Sequence, residues 1–226
     1  MTKTYKPTAA RILSILLTLF LISGCGGLSL KDREEMSAEE LAKRGLDQFD
    51  KGKYFLAVET FDIIKERFPF SRFSLLAELK SADSKFYMGD YGEALELYKS
   101  FETNHPTNEA VPYVIFQIGR SHYRTMDTID RDTTGAHQSI QAFSRLLRTF
   151  PDSPYTAEAR ALIQKANHFL AEHELYVANF YMRTNKFDQA RGRVEYLLSN
   201  FPDSPAAVKA EEIVEELEES GYGFDG

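Results

Sequence analysis

The chain has 226 residues and is short of several things. It has one cysteine, so no disulfide can close within it, and a structural zinc site would need His and carboxylate ligands alone. It has 27 Lys and Arg against 34 Asp and Glu, a formal charge of −7. That balance argues against broad nucleic-acid binding, which needs a basic surface to neutralise phosphates. Glycine and proline number only 13 and 8, which excludes collagen-like and low-complexity chains. No stretch alternates apolar and polar residues as a half-buried strand would. The longest apolar run, Ile12 to Ile22, would be roughly 16 Å long as a helix, about half the hydrocarbon thickness of a bilayer. A transmembrane helix is therefore not expected there.

What the N-terminus does have is the layout of a secretory signal. Lys3, Lys6 and Arg11 make it positive, the apolar run follows, and Leu21-Ile22-Ser23-Gly24-Cys25 stands where cleavage belongs. This resembles the bacterial lipobox, which implies cleavage before Cys25, a thioether-linked diacylglycerol on its sulfur and an amide-linked acyl chain on its nitrogen. Several acyl tails, each methylene contributing roughly 0.8 kcal/mol, make such an anchor effectively permanent. Residues 1–24 are thus expected to be removed and 25–36 to form a lipidated tether. Gly26 and Gly27 follow the cysteine, not the Asp that the resemblance associates with inner-membrane retention. The expected destination is the outer membrane, facing the periplasm. Losing three bases and no acids takes the mature chain to −10, a body that stands off from anionic lipid.

From residue 37 to about 220 the periodicity is helical and it repeats. Ser37-Ala-Glu-Glu40 is a capping-box pattern opening the first helix. Three segments then align without gaps. In the first, Tyr54, Ala57, Phe61, Ile64 and Pro69 hold fixed spacings; in the second, Tyr91, Ala94, Tyr98, Phe101 and Pro106; in the third, Phe187, Ala190, Val194, Leu197 and Pro202. A weaker copy runs through Ser139, Phe143, Leu146 and Pro151. The small residues Gly45, Ala82, Gly119 and Ala178 precede these segments at the packing position of a partner helix. Units of about 34 residues, each two helices and a turn, are the tetratricopeptide pattern. The expected fold is all-α: a helical repeat solenoid of about four helix pairs plus a C-terminal helix. The link Phe-Pro-Asp-Ser-Pro occurs at 150–154 and 201–205, each predicting a Ser cap before a Pro-led helix. Residues 126–134 exceed the repeat length and predict a protruding loop. Residues 157–184 predict one long helix or two end to end, and 221–226 a frayed tail.

Catalytic chemistry is sparse. The chain has no Gly-rich phosphate loop, no Gly-x-Ser-x-Gly and no His-Glu-x-x-His. His168 and His173 lie about 140° apart around a helix, too far to share a metal on one face. No cofactor beyond the lipid on Cys25 is expected. What remains is a surface for peptides. First helices of such repeats line a concave face, and the pattern puts Phe49, Phe86, Tyr87, Phe116, Arg120 and Tyr123 on or near it. Aromatic and Arg side chains dominate binding hot spots. Arg120 or Arg124 offers a partner for a carboxylate.

Three segments carry a more specific likeness: Ile64-Lys-Glu-Arg-Phe-Pro-Phe-Ser71, the run Ala171 to Arg183 (AEHELYVANFYMR), and Arg193-Val-Glu-Tyr-Leu-Leu198 before Asn200-Phe-Pro-Asp-Ser204. With the lipobox they resemble the BamD family, tetratricopeptide lipoproteins of the outer-membrane β-barrel assembly machine. The resemblance implies a non-enzymatic scaffold. Its implied partners are the core barrel subunit with periplasmic repeats, unfolded outer-membrane proteins and accessory lipoproteins. It places Phe49, Phe86, Tyr87, Phe116 and Tyr123 on the substrate side and Glu174, Tyr176, Tyr181 and Arg183 on the side of the core subunit. The family usually has five helix pairs, whereas here the last pair is expected to stop after one acidic helix. An alternative of the same fold is another periplasmic repeat lipoprotein, acting in Tol–Pal and cell-wall coordination or as a secretin pilot. Residues 26–36 are too few for the coiled coil typical of the former.

Overall fold

The structure is a computed structural model that describes residues 35–222. The expected signal segment 1–24, Cys25, tether residues 26–34 and tail residues 223–226 lie outside the described residues. Nine α-helices follow one another among the described residues: α1 (Ala38–Asp50), α2 (Tyr54–Arg67), α3 (Ser74–Met88), α4 (Tyr91–Asn104), α5 (Val111–Arg124), α6 (Thr134–Thr149), α7 (Thr156–Arg183), α8 (Phe187–Asn200) and α9 (Pro205–Glu219). No strand occurs among those residues. Each helix packs on its neighbours in sequence, and α1·α3, α5·α7 and α7·α9 also touch. This is the all-α helical repeat, four pairs and a ninth helix. No helix among the described residues is long and apolar enough to cross a membrane.

The repeated residues are the core. Ala57, Ala94, Ser139 and Ala190 are fully buried on the second helix of each pair. So are Phe61, Tyr98, Phe143 and Val194 one turn later. The opposing small residue sets how closely the two helices approach. A Cβ on Gly45 would lie 2.5 Å from the Phe61 ring, and one on Gly119 would lie within van der Waals overlap of the Phe143 ring. Glycine is thus used where the partner is Phe, and Ala where it is Tyr98 or Val194.

The turns repeat too. Gly52, Gly89 and Asn185 close the first, second and fourth pairs in the left-handed region, at φ 70°, 86° and 53°. Asn is the side chain that tolerates this region best after Gly. In each case the next N–H reaches back five residues, as Lys53 to Gln48 O and Lys186 to Tyr181 O, and so closes the helix end. Gly221 ends α9 the same way, with Tyr222 N–H on Leu217 O at 2.9 Å and its ring 5.0 Å from Phe187. Residues 221 and 222 thus form a helix stop, with the Tyr222 ring laid against Phe187. The second helices end on Phe68, His105, Phe150 and Phe201, all near φ −131° to −136°, because the following proline disfavours the helical region.

Two sequence expectations need adjusting. Ser204 caps α9, accepting the Ala207 N–H at 3.1 Å, but Ser153 does not cap α7. Pro154 and Tyr155 are taken up by a turn, Thr156 N–H bonding Ser153 O, and the helix starts two residues later than the matching link predicts. The loop after α5 occupies 125–133, Thr134 already being helical. It bends back to α7, where His173 Nδ1 meets Ile129 O at 2.5 Å. Residues 156–183 form one continuous helix.

Candidate binding surfaces

The first helices of the first three pairs, α1, α3 and α5, carry the predicted groove residues. Phe49, Tyr54 and Tyr87 form one aromatic group: Tyr54 and Tyr87 stack at 5.2 Å, and Phe49 meets both edge-on at 5.4 and 5.6 Å. The Lys80 ammonium sits 4.5 Å over the Phe49 ring. Tyr87 is half exposed and Phe49 half-buried. Phe86 and Phe116 are not groove-lining residues, being only 4% and 3% exposed. Phe86 packs with Tyr98 and Ile118, and Phe116 with Phe143 and Val111. Their role is to support Arg120, whose guanidinium lies 4.7 Å over Phe86 and 5.8 Å over Phe116. Tyr123 is half-buried against the clusters around Ile115 and Leu170. Of the six predicted residues, Phe49, Tyr87, Arg120 and Tyr123 thus retain some exposure.

Beneath them lies a polar network that the sequence reading missed. Asp83 is 1% exposed. Its Oδ1 accepts the hydroxyls of Tyr98 and Tyr113, each at 2.7 Å, and its Oδ2 the Lys80 ammonium at 2.8 Å. Because the Tyr113 O–H is donated to Asp83, its oxygen is left to accept Gln117 Nε2 at 2.8 Å. That fixes the Gln117 amide, whose Oε1 then accepts Arg120 at 3.1 Å. Burial, then the Asp83 charge, pushes both phenols well above their ordinary range. The signal was present in the sequence: an acid directly after the small packing residue Ala82, with a tyrosine on each of the two helices that follow. Arg120 has no carboxylate partner among the described residues. Beyond Phe116 the row continues to Tyr155, stacked on it at 5.1 Å, and to Tyr113, 5.6 Å from Tyr155.

The second predicted surface is on α7 and α8. Glu174 is paired with Arg193 at 3.0 Å and is mostly buried, so it braces the two helices. Tyr181 packs into the core around Leu175 and Val194 with its edge on Phe180. Tyr176 and Arg183 are exposed. Phe180 and Tyr196, absent from the predicted set, are 46% and 45% exposed. Tyr176 and Phe180, four residues apart on one helix, make an outward apolar stripe. Single exposed apolar side chains are common, and this pair on one helix face makes a candidate contact surface.

Metal chemistry has no visible home: no group of three or more His, Cys, Asp or Glu among the described residues is placed to hold an ion. His173 is engaged with Ile129, and His168 lines a polar cleft with Gln164 and Asn167.

Residues 34–220 match the model of the YfiO family, described as outer membrane lipoprotein. The chain belongs to this family. It is 31% identical to an outer membrane protein assembly factor BamD of Pasteurella multocida over 216 residues, 91% of this chain and 82% of that one. The BamD of Haemophilus influenzae is 28% identical over 92% and 82%, and that of Vibrio cholerae 27% over 89% and 87%. Among solved structures, a thermophilic TPR protein of Thermus thermophilus is similar at 17% identity and a TM-score of 0.45, covering 78% of this chain and 98% of that one.

Proposed function

We propose that this family member is a non-enzymatic, lipid-anchored scaffold of outer-membrane β-barrel assembly. Cys25 carries the lipid and holds the repeat body at the periplasmic face of the outer membrane. The face formed by α1, α3 and α5 receives extended segments of unfolded outer-membrane proteins. The α7–α8 surface, with Tyr176, Phe180 and Tyr196, docks the core barrel subunit. The names of the curated relatives support the assembly role. The observation that carries the substrate reading is Arg120: a guanidinium seated on two rings, held by a single hydrogen bond to Gln117 and left with further donors free. Arg in such a setting suits a carboxylate.

The test uses a fluorescent peptide with a terminal aromatic residue and a free carboxylate. Arg120→Ala is expected to weaken its binding about tenfold while leaving the melting temperature nearly unchanged. Unchanged affinity would overturn the assignment of Arg120. The anchor has a separate test: Cys25→Ala should release the protein from membranes, and a fully membrane-bound variant would refute it.

A further inference from the structure

A roomy cavity lies at the end of this same face. It has a volume of about 750 Å³ and is walled by Leu79 of α3, Pro112 and Tyr113 of α5, and Phe150, Pro154 and Tyr155 of the α6–α7 link. Its mouth carries Glu109 and Asp152 and no basic residue. Both acids are exposed, and neither has a cationic partner among the described residues. Tyr113 and Tyr155 belong at once to this cavity and to the aromatic row that leads to Arg120.

The second copy of the link supplies a control inside the molecule. Phe201-Pro-Asp-Ser204 also lines a cavity, but the opposite wall is Gln164, Asn167 and His168, and the volume is about 240 Å³. The same link sequence thus borders a small polar cleft at one place and a roomy apolar one at the other. What differs in the walls is Leu79, Tyr113 and Tyr155 at the first link against Gln164, Asn167 and His168 at the second.

Resting on the reading of this face as a substrate groove, we infer that the cavity takes an aromatic side chain of an extended unfolded segment, with a Lys or Arg beside it. The volume suits one or two large side chains. Aromatic walls offer edge and face contacts to a ring. The acidic mouth selects the neighbour: it repels a terminal carboxylate and attracts a cation. The groove then reads charge with direction. Arg120 takes the anionic part of a segment and the Glu109–Asp152 mouth the cationic part, with the aromatic row between them.

The experiment uses the full lipidated chain in detergent micelles and three fluorescein-labelled, C-terminally amidated extended peptides. They are identical except for a central Phe-Arg, Phe-Glu or Ser-Arg pair; amidation removes the carboxylate that Arg120 would bind. Fluorescence anisotropy is expected to rank Phe-Arg about tenfold tighter than either of the others at low salt. The double variant Glu109→Lys/Asp152→Lys, changed only at exposed positions, should invert the Arg-over-Glu preference. Ala110→Phe, which fills the cavity, should abolish binding of all three. Equal affinity for Phe-Arg and Phe-Glu, or a preference that survives the charge reversal, overturns the inference. So does self-association of the chain that Ala110→Phe removes and the peptides do not compete, since that gives the cavity to a second copy. The groove reading fails separately: loss of the Arg120→Ala effect on the free-carboxylate peptide removes it while the amidated series still reports on the cavity.

Discussion

Removing Asp83 should cost the fold far more than removing any surface acid. Asp83→Ala leaves the hydroxyls of Tyr98 and Tyr113 without their acceptor and the Lys80 ammonium without its partner. A hydrogen bond to a buried charged group is worth about 1.5–3 kcal/mol, and orphaning the donor costs its desolvation as well. The Lys80 pair is partly exposed at the lysine end and adds little. Two tyrosine bonds therefore set a loss of about 3–5 kcal/mol. For a chain of this size each kcal/mol shifts the melting temperature by about 2–4 °C, so the melt should fall by about 6–20 °C. Circular dichroism melts and urea titrations of the full chain in detergent read this directly. Tyr98→Phe and Tyr113→Phe should each cost about 1–2 kcal/mol, and either combined with Asp83→Ala should fall short of additivity by about 1 kcal/mol or more. Tyr113→Phe also removes the acceptor that orients Gln117, so peptides that depend on Arg120 should bind less tightly even where stability is nearly kept. A folded Asp83→Ala protein that loses less than about 1 kcal/mol would refute the reasoning, because a buried carboxylate with three partners would then contribute nothing net.

Other perturbations have equally definite outcomes. Gly119→Ala should destabilise by about 1–3 kcal/mol through overlap with Phe143, and Phe143→Leu in the same chain should recover part of it, as urea midpoints would show. Ser204→Ala should cost about 1 kcal/mol and Ser153→Ala much less, since only Ser204 caps a helix; equal losses in thermal melts would contradict the cap assignment. The raised phenols of Tyr98 and Tyr113 give stability that is fully present below the unfolded value, about 10, and is lost as pH rises above it. In an ultraviolet titration, Tyr98 and Tyr113 should ionise only as the helical signal collapses. Ionisation of every tyrosine in a folded chain would count against their burial beside Asp83.

The repeat was legible because its residues do packing work at fixed spacing. Ala57 and Phe61, or Ala190 and Val194, are buried for the same geometric reason in every pair, and identity at such positions survives as a sequence pattern. The groove was less legible because one residue type serves two ends. Phe86 and Phe116 occur at helical spacing on the first helices, as binding aromatics would, yet both lie inside. Spacing gives the helix face but not how far the next pair leans over it. Asp83, Tyr113 and Gln117 escaped because their meaning is relational: an acid within an apolar helix becomes informative only once two hydroxyls from neighbouring helices converge on it. The two Phe-Pro-Asp-Ser links make the same point, identical in sequence and yet giving a capped helix at one site and a turn with a delayed helix start at the other.

The long helix α7 is what makes one molecule of the two surfaces. At 1.5 Å per residue its 28 residues span about 42 Å. Its first half, through Ala159, Ala166 and Leu170, is packed into the clusters of α5 and α6. Its second half, through Ala171, Leu175 and Ala178, is packed into that of α8 and α9. Tyr155, a member of the aromatic row, immediately precedes the helix, and Tyr176 and Phe180 stand on its far half. An ordinary pair of repeats would break between these points with a turn, where small rotations are cheap. Here the backbone hydrogen bonds run through without Gly or Pro, and the loop after α5 braces the middle through His173. In the scaffold role proposed above, a segment bound at the Tyr155 end and a partner docked at the Phe180 end would therefore be held at a fixed separation and angle, the relation needed to pass an unfolded strand from one to the other. It follows from the absence of a helix breaker between residues 156 and 183.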